Sequence, residues 1–341
     1  MKLQERIDAF VALGEKLKTL DEETSNMLSR RANDDNGWFD ESTVNNALKG
    51  IEKMLDREVL TSWVESYDKS NDSSSNNILV VMAGNIPAVG FHDALCVLIS
   101  GNHLQGKLSS QDTFLMKILL DWLIEIEPRF KEKISLLEAP AQGIDKVIAT
   151  GSDNSTRYFE KYFNKFPHII RHNRSSVAVI RGDETKEVLA KLADDVFLYY
   201  GLGCRNISKI YAPKDYDFTL LMAALEERAK STIINHKFAN NYDYNKSIYL
   251  VNKVPHLDNG GLILTESNEL VSPISVLYYE TYENGSDLKD KLGAHQDKIQ
   301  VVVADQQWLA GTEDFGQAQF PSVDTYADNV DTMKFLSPIM S

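Results

Sequence analysis

Cysteine is scarce in this chain, whose 341 residues include only Cys96 and Cys204. Two cysteines in a chain of this length cannot form a disulfide framework, and no Cys/His spacing predicts a zinc site. We therefore expect two separate thiols in a reducing compartment, the cytoplasm.

Long apolar runs and an excess of basic residues are absent as well. The longest apolar runs, such as residues 78–83 and 299–304, fall well short of the roughly 20 residues that span a bilayer. The opening MKLQERIDAF lacks the apolar core of a signal peptide. Lys and Arg number 36 against 50 Asp and Glu, whereas non-specific nucleic-acid binding needs clustered basic residues. We expect neither a membrane span nor a nucleic-acid partner.

The pattern along the chain predicts an α/β protein of two domains. The first 66 residues are polar, with apolar residues at helical spacing. From residue 78 onward, short apolar runs alternate with helical segments, which predicts parallel sheets covered by helices. Strands are predicted at 78–84, 105–108, 146–149, 176–180, 207–211, 248–251, 262–265, 274–278 and 299–304.

Polar residues follow the first two of these strands, where parallel sheets bind ligands. Asn85, after the first strand, can donate a hydrogen bond to a developing oxyanion, or it can be a plain turn residue. Lys107 ends the second strand and precedes Ser109 and Ser110. This lysine can hold ribose hydroxyls or a phosphate, or it can be an ordinary solvated side chain.

Two further junctions contain glycine. Gly151 and Ser152 lie between a strand and a helix, where a phosphate can bind, although an ordinary helix N-cap looks the same. The chain lacks the GxGxxG fingerprint of ordinary dinucleotide sites. Cys204 lies between Gly-rich turn residues and a strand, with basic neighbours that can favour a thiolate. The alternative, a buried small hydrophobe, describes Cys96 better.

The four junctions occur in the order and approximate spacing of the aldehyde dehydrogenase superfamily. Over roughly residues 78–338, the chain resembles the acyl-CoA reductase branch of that superfamily. The resemblance is carried by the segments GNHLQGKLSSQD, ATGSDNSTRYFEKYF, IIRHNRSSVAVIRGDE, GLGCRNISKIYAP and FGQAQFPSVDTYADNVDTMKFLSP.

This resemblance implies an aldehyde-dehydrogenase-like fold with two Rossmann-like parallel-sheet domains. Residues 1–182 would form N-terminal helices and a cofactor domain, 183–325 a catalytic domain, and 326–341 a segment returning to the cofactor domain. The resemblance also implies a homo-oligomer, whose oligomerising hairpin would be reduced in so short a chain.

The resemblance assigns roles to the junction residues. Cys204 matches the nucleophile, and Asn85 matches the amide that forms the oxyanion hole with the Cys204 N–H. The matched cofactor-binding residues are Lys107 at the adenosine ribose with Ser109 and Ser110 beside it, Gly151 and Ser152 at the pyrophosphate, and Glu269 at the nicotinamide ribose.

Two departures from the superfamily pattern bear on the chemistry. Hydrolytic members carry a glutamate where residues 171–176 read RHNRSS, so the acyl-enzyme should survive for attack by another thiol. His172 in this segment can handle protons or be merely structural. Ser110 replaces a glutamate of NAD-using members, and removing that carboxylate favours NADPH.

The resemblance thus implies NADPH-dependent reduction of an acyl-CoA, or another acyl thioester, to an aldehyde through an acyl-enzyme at Cys204. Two alternatives stay open: a reversible CoA-acylating aldehyde dehydrogenase for short chains, and a non-catalytic binding subunit of a reductase complex. The acyl chain length and the acyl donor cannot be predicted from these residues.

Overall fold

A computed structural model describes residues 1–67, 75–138, 141–151 and 153–337. The chain divides into two compact units. Unit 1 comprises Met1–Asn173 and Pro321–Ser341, and unit 2 comprises Arg174–Phe320. None of the helices in the described part of the chain combines the length and apolarity that crossing a bilayer requires.

Unit 1 begins with four helices. In the first, Ile7, Phe10 and Leu13 recur at helical spacing and are buried. The next three helices each begin after an aspartate, such as Asp40, whose carboxylate accepts a backbone N–H of the first turn. The four helices are α1 (Leu3–Lys18), α2 (Glu22–Asp35), α3 (Glu41–Met54) and α4 (Arg57–Glu65).

The rest of unit 1 before residue 174 is a parallel five-stranded sheet with helical connections. The strands at Asn77–Val81 and Lys146–Thr150 are short, mainly apolar and buried, as expected for strands covered on both faces. In chain order the elements are β1 (Asn77–Val81), α5 (Phe91–Ile99), β2 (His103–Lys107), α6 (Thr113–Ile126), a 3₁₀ turn (Pro128–Glu132), β3 (Ile134–Leu136), β4 (Lys146–Thr150), α7 (Asp153–Phe163) and β5 (His168–Arg171). The strand order is β3-β2-β1-β4-β5.

Unit 2 contains a second sheet of six strands, parallel except for a short edge strand. Its elements are β6 (Ser175–Val179), α8 (Lys186–Phe197), a 3₁₀ turn (Leu198–Gly201), β7 (Ile207–Pro213), α9 (Thr219–Thr232), α10 (His236–Val251), β8 (Leu257–Asp258), β9 (Ile263–Glu266), β10 (Val276–Tyr282), α11 (Gly285–Gly293) and β11 (Ile299–Val303). The strand order is β11-β6-β7-β10-β9-β8.

The C-terminal segment of the chain packs within unit 1 and ends in helix α12 (Thr332–Leu336). The indole N–H of Trp63 donates to the Tyr326 hydroxyl at 2.8 Å. The Lys146 ammonium donates to the carbonyl oxygens of Phe335 and Ser337 at 2.6 and 3.0 Å. Buried polar contacts therefore join this segment to α4 and β4.

The unit boundaries differ from the predicted boundaries after residues 182 and 325. Strand β6 was predicted in the first domain, yet it pairs with β7 and β11 in the second sheet. Unit 2 therefore begins before β6, at Arg174, and ends at Phe320.

The strand predicted at residues 248–251 is wrong, because these residues form the last turn of α10. A four-residue apolar run has no periodicity that separates strand from helix. Leu250 and Val251 are exposed rather than buried in a sheet. The other predicted strands occur in the structure, with ends shifted by a few residues.

Candidate active site

The predicted binding residues of unit 1 converge at one edge of its sheet. In the register of the sheet, Val81 at the end of β1 lies opposite Lys107 of β2 and Ala149 of β4. The segments that follow these strands, with Asn85, Ser109 and Gly151, therefore leave the sheet at the same edge. Ser152, also predicted to contact the cofactor, lies outside the described residues.

The first two junctions pack directly against each other. A Cβ atom at Gly84 would come within 2.6 Å of the Ser109 Oγ, so only glycine fits here. The Ser109 carbonyl accepts the N–H of Asp112 at 3.1 Å, which closes the turn after β2. Lys107 and Ser110 are exposed beside this contact. At this edge of the sheet, the Lys107 ammonium and the Ser110 hydroxyl are therefore open to solvent, close to the turn that carries Asn85.

Gly151 is required by packing between β4 and α7. A Cβ at this position would lie 2.8 Å from Phe159 Cε2 and from Ser155 Cβ. The glycine therefore lets the chain enter α7 directly from the sheet, which keeps the start of that helix at the carboxyl edge.

Cys204 lies in unit 2, in a turn between a 3₁₀ segment and β7, and its side chain is exposed. Three consecutive residues ahead of it adopt left-handed backbone conformations, with φ of 55° at Tyr199, 58° at Tyr200 and 78° at Gly201. Such angles are unfavourable for tyrosine and persist only where surrounding contacts enforce them. Both tyrosines are buried, so packing supplies part of that enforcement.

The buried side chain of Asn206 supplies the rest. Its amide nitrogen is within hydrogen-bonding distance of the carbonyl oxygens of Leu198 at 2.6 Å, Asp195 at 3.1 Å and Val196 at 3.4 Å. Its oxygen accepts the N–H of Gly203 at 2.8 Å. One side chain therefore binds both ends of the left-handed segment that leads to Cys204.

The segment around Gly316 is tied to the same turn. The Asp195 carboxylate is fully buried and accepts the N–H groups of Gly316 at 2.6 Å and Ala318 at 3.0 Å. Burial raises the pKa of Asp195 to about 7, against the opposing effect of these two hydrogen bonds. From the other side, the Arg205 Nε donates to the Ala318 carbonyl.

Arg205 places a largely buried cation next to the candidate nucleophile. Its side chain is 12% exposed and lies 3.8 Å from the Glu313 carboxylate. Burial lowers the pKa of Arg205, and electrostatic attraction to Cys204 acts in the opposite direction. The electrostatic interaction therefore links this guanidinium directly to Cys204.

Glu269 lies in the connection between β9 and β10 and is exposed. Both neighbouring carbonyls are anchored to β7, the strand that follows Cys204. Ser208 donates to the Leu270 oxygen at 2.7 Å, and Lys209 donates to the Asn268 oxygen at 3.2 Å. The structure therefore places Glu269 beside the start of β7, within the unit that carries the cysteine.

Several polar residues at these turns were missed by the sequence prediction. Asn36 and Asp112 contact the Asn85 turn, and Asp195 and Asn206 contact the Cys204 turn. Asp328 accepts the backbone N–H of His172 at 3.1 Å, which brings a carboxylate to the segment that has none of its own. No motif distinguishes these residues, since most are far in sequence from the groups they hold.

The comparisons with known proteins agree with this architecture. The sequence model of the acyl-CoA reductase (LuxC) family matches residues 12–231. No significant match exists among curated protein sequences.

Among solved structures, the fold is similar to aldehyde dehydrogenase 21 from Physcomitrella patens in complex with succinate, with a TM-score of 0.70 and 12% identity over 98% of this chain and 84% of that one. A variant propionaldehyde dehydrogenase from the Clostridium phytofermentans fucose utilisation microcompartment is also similar. Its TM-score is 0.63, at 11% identity, and the match covers 100% of this chain and 94% of that one. A third similar structure is NADP-dependent glyceraldehyde-3-phosphate dehydrogenase from Bacillus halodurans C-125, complexed with NADP. Its TM-score is 0.61, at 13% identity, and the match covers 89% of this chain and 74% of that one. The predicted α/β, aldehyde-dehydrogenase-like fold is confirmed.

Proposed function

The chain belongs to the acyl-CoA reductase (LuxC) family, and from this membership we propose that it reduces an acyl thioester, such as an acyl-CoA, to an aldehyde with NADPH. Family and fold identify an oxidoreductase of acyl or aldehyde groups. The finer proposal depends on one observation above all. Cys204 is exposed on a turn that buried hydrogen bonds hold in a strained conformation, as expected for a nucleophile rather than a core cysteine.

In the proposed reaction, the Cys204 thiolate attacks the carbonyl carbon of the thioester. A new carbon–sulfur bond forms, the bond to the CoA sulfur breaks, and CoA leaves as a thiolate. Negative charge develops on the carbonyl oxygen during the attack. From the match of Asn85 to the oxyanion-hole amide of the superfamily, we assign the stabilisation of this charge to the Asn85 side chain and the Cys204 N–H, since hydrogen-bond donors at a developing oxyanion lower the barrier.

The cofactor role of unit 1 is supported by the kind of groups at its sheet edge. Lys107 offers a cation for ribose and phosphate oxygens, and Ser109 and Ser110 offer hydroxyls without an accompanying carboxylate at either position. Gly151 lets the chain pass close to a bound pyrophosphate, with Ser152 next in sequence. From its match to the superfamily glutamate, Glu269 of unit 2 is assigned to the nicotinamide ribose. NADPH, when bound, would supply the hydride that converts the acyl group on Cys204 to an aldehyde.

The test is to incubate the protein with radiolabelled acyl-CoA and without NADPH. Wild type should retain label on Cys204 that hydroxylamine releases, and Cys204→Ala should retain none. Cys96→Ala is the matched control and should label normally, because Cys96 is buried and burial raises its pKa well above the usual range. Equal labelling of Cys204→Ala and wild type would overturn the proposal.

A cytoplasmic location and assembly into a homo-oligomer stay predictions. Each unit contains one of the two cysteines, so neither unit holds a disulfide of its own. Two free thiols fit a reducing compartment. Light scattering of the purified protein would measure its assembly state.

A further inference from the structure

Two buried side chains hold the turn that carries Asn85. The Asn36 amide, at the end of α2, donates to the Gly84 carbonyl at 3.1 Å. The Asp112 carboxyl, ahead of α6, accepts the N–H of Ala88 at 2.7 Å. Asn36 is 6% exposed and Asp112 is 1% exposed. The backbone is therefore fixed immediately before Asn85 and three residues after it.

The conformation that these bonds hold is a strained one. Ala88 has φ of 53°, in the left-handed region that is unfavourable for a non-glycine residue. The turn is also packed at its end, because a Cβ at Gly90 would lie within 2.6 Å of the Met82 side chain. A left-handed alanine between packed glycines needs an external bond to persist, and the Asp112 carboxyl supplies it.

Asp112 is not occupied with capping its own helix. It stands at the N-cap position of α6, yet its side chain makes no capping bond there. Asp35 of α2 takes that role and accepts the N–H groups of Thr113 and Phe114 at 3.0 and 2.8 Å. One Asp112 oxygen faces Ala88, and the other is buried with no hydrogen-bond partner among the described residues.

We propose that Asp112 is a positioning residue for the reaction: through Ala88 it holds the Asn85 turn in the conformation that stabilises the oxyanion. This inference rests on the proposed function. In this proposal the Asn85 side chain contacts the oxyanion, and Asp112 only fixes the position of the turn that carries Asn85.

A double-mutant cycle tests the proposal. Asp112→Ala should slow acyl transfer to Cys204 by about tenfold, the scale of one lost hydrogen bond, with little change in KM. Asp112→Asn should stay within about threefold of wild type, since an amide oxygen can still accept from Ala88. In an Asn85→Ala background, Asp112→Ala should have almost no further effect. Additive losses, or equal losses in Asp112→Asn and Asp112→Ala, would overturn the proposal.

Hydrogen exchange supplies a readout that does not depend on catalysis. Amides in residues 84–90 should exchange faster in Asp112→Ala and in Asn36→Ala than in wild type, and at the wild-type rate in Asp112→Asn. Asp121→Ala, which changes an aspartate on the same helix α6 away from the turn, is the matched control and should exchange as wild type does.

The two arms separate the possible failures. Unchanged exchange in Asp112→Ala would overturn the positioning role whatever the activity. Faster exchange in a protein whose Cys204 accepts no acyl group would support the hold on the turn and reject the proposed function instead.

Discussion

The Asn206 side-chain oxygen accepts the N–H of Gly203 at 2.8 Å, and this bond closes the turn that presents Cys204. The amide nitrogen of the same side chain is bound to the far end of the turn, at Leu198. These two attachments, together with the packing of the buried tyrosines between them, keep the left-handed backbone in place. The conformation of the proposed nucleophile, Cys204, therefore depends on Asn206.

We predict that Asn206→Asp lowers both the reactivity of Cys204 and the stability of the fold. The carboxylate can still accept from Gly203, but its second oxygen would face the Leu198 carbonyl with no proton to share. The rate of Cys204 alkylation by iodoacetamide should fall by about tenfold or more, and stability should fall by ~1–3 kcal/mol. Asn241→Asp on α10, whose amide bonds only within its helix, is the control. Alkylation at the wild-type rate would contradict the prediction.

Asp195 gives a prediction about pH. Its folded pKa of about 7 lies above the ordinary aspartate value of 3.8, so the folded state binds the proton more tightly than the unfolded chain. The stability that this group contributes is complete below pH 3.8 and is lost as pH rises to about 7, at up to about 1.4 kcal/mol per pH unit.

Urea unfolding between pH 4 and pH 8 measures this effect. The stability of Asp195→Asn relative to wild type should increase with pH up to about 7 and then level off, because asparagine does not titrate. Parallel pH profiles for Asp195→Asn and wild type would contradict the assignment.

The positions of the junctions could be predicted from sequence because they follow from local patterns. Apolar β-branched runs mark β1 and β4, and the carboxyl ends of parallel strands meet at one edge. Asn85, Lys107 and Gly151 were found in this way. The apolar run at residues 248–251 is too short to show a periodicity that separates strand from helix, and the strand predicted there was wrong.

The residues that fix the turns could not be predicted. Asp195 reaches Gly316 and Asn36 reaches Gly84 across long sequence separations, and no pattern in a single sequence reports such contacts. Asp112 has the appearance of a helix cap, but it holds a different segment. Local sequence patterns predict the candidate reactive groups, whereas tertiary packing alone shows what positions them.

Ser110 gives a prediction about cofactor choice. It is exposed at the sheet edge, close to Lys107, and adds no carboxylate there. NADPH should bind more tightly than NADH, and Ser110→Glu should shift the preference toward NADH by about 1–3 kcal/mol through repulsion of the 2′-phosphate. Ser110→Gln, similar in size and uncharged, should shift it much less. Fluorescence titration with both cofactors measures this, and equal wild-type affinities would contradict it.

The fate of the proposed acyl-enzyme depends on whether a carboxylate can activate water. Residues 171–176 contain none, and Arg171 is occupied by a buried ion pair with Asp93. The structure brings Asp328 to this segment, but one of its oxygens accepts the His172 N–H. A carboxylate holding a backbone amide is in a poor position to serve as a base, so the thioester should hydrolyse slowly.

We therefore predict that aldehyde and NADP⁺, supplied without CoA, give a single burst of about one NADPH per active site and almost no carboxylic acid. Adding CoA should restore turnover, because the CoA thiol attacks the acyl group that water cannot. The expected gap between the two rates is about 10²–10⁴-fold, the usual contribution of a general base.

Sustained acid formation without CoA would contradict this prediction. In that event Asp328→Asn and His172→Gln identify the group responsible, since only the variant lacking the active base would stop releasing acid. Asp324→Asn, a nearby aspartate that accepts a hydrogen bond from the Ser322 hydroxyl, is the control for both.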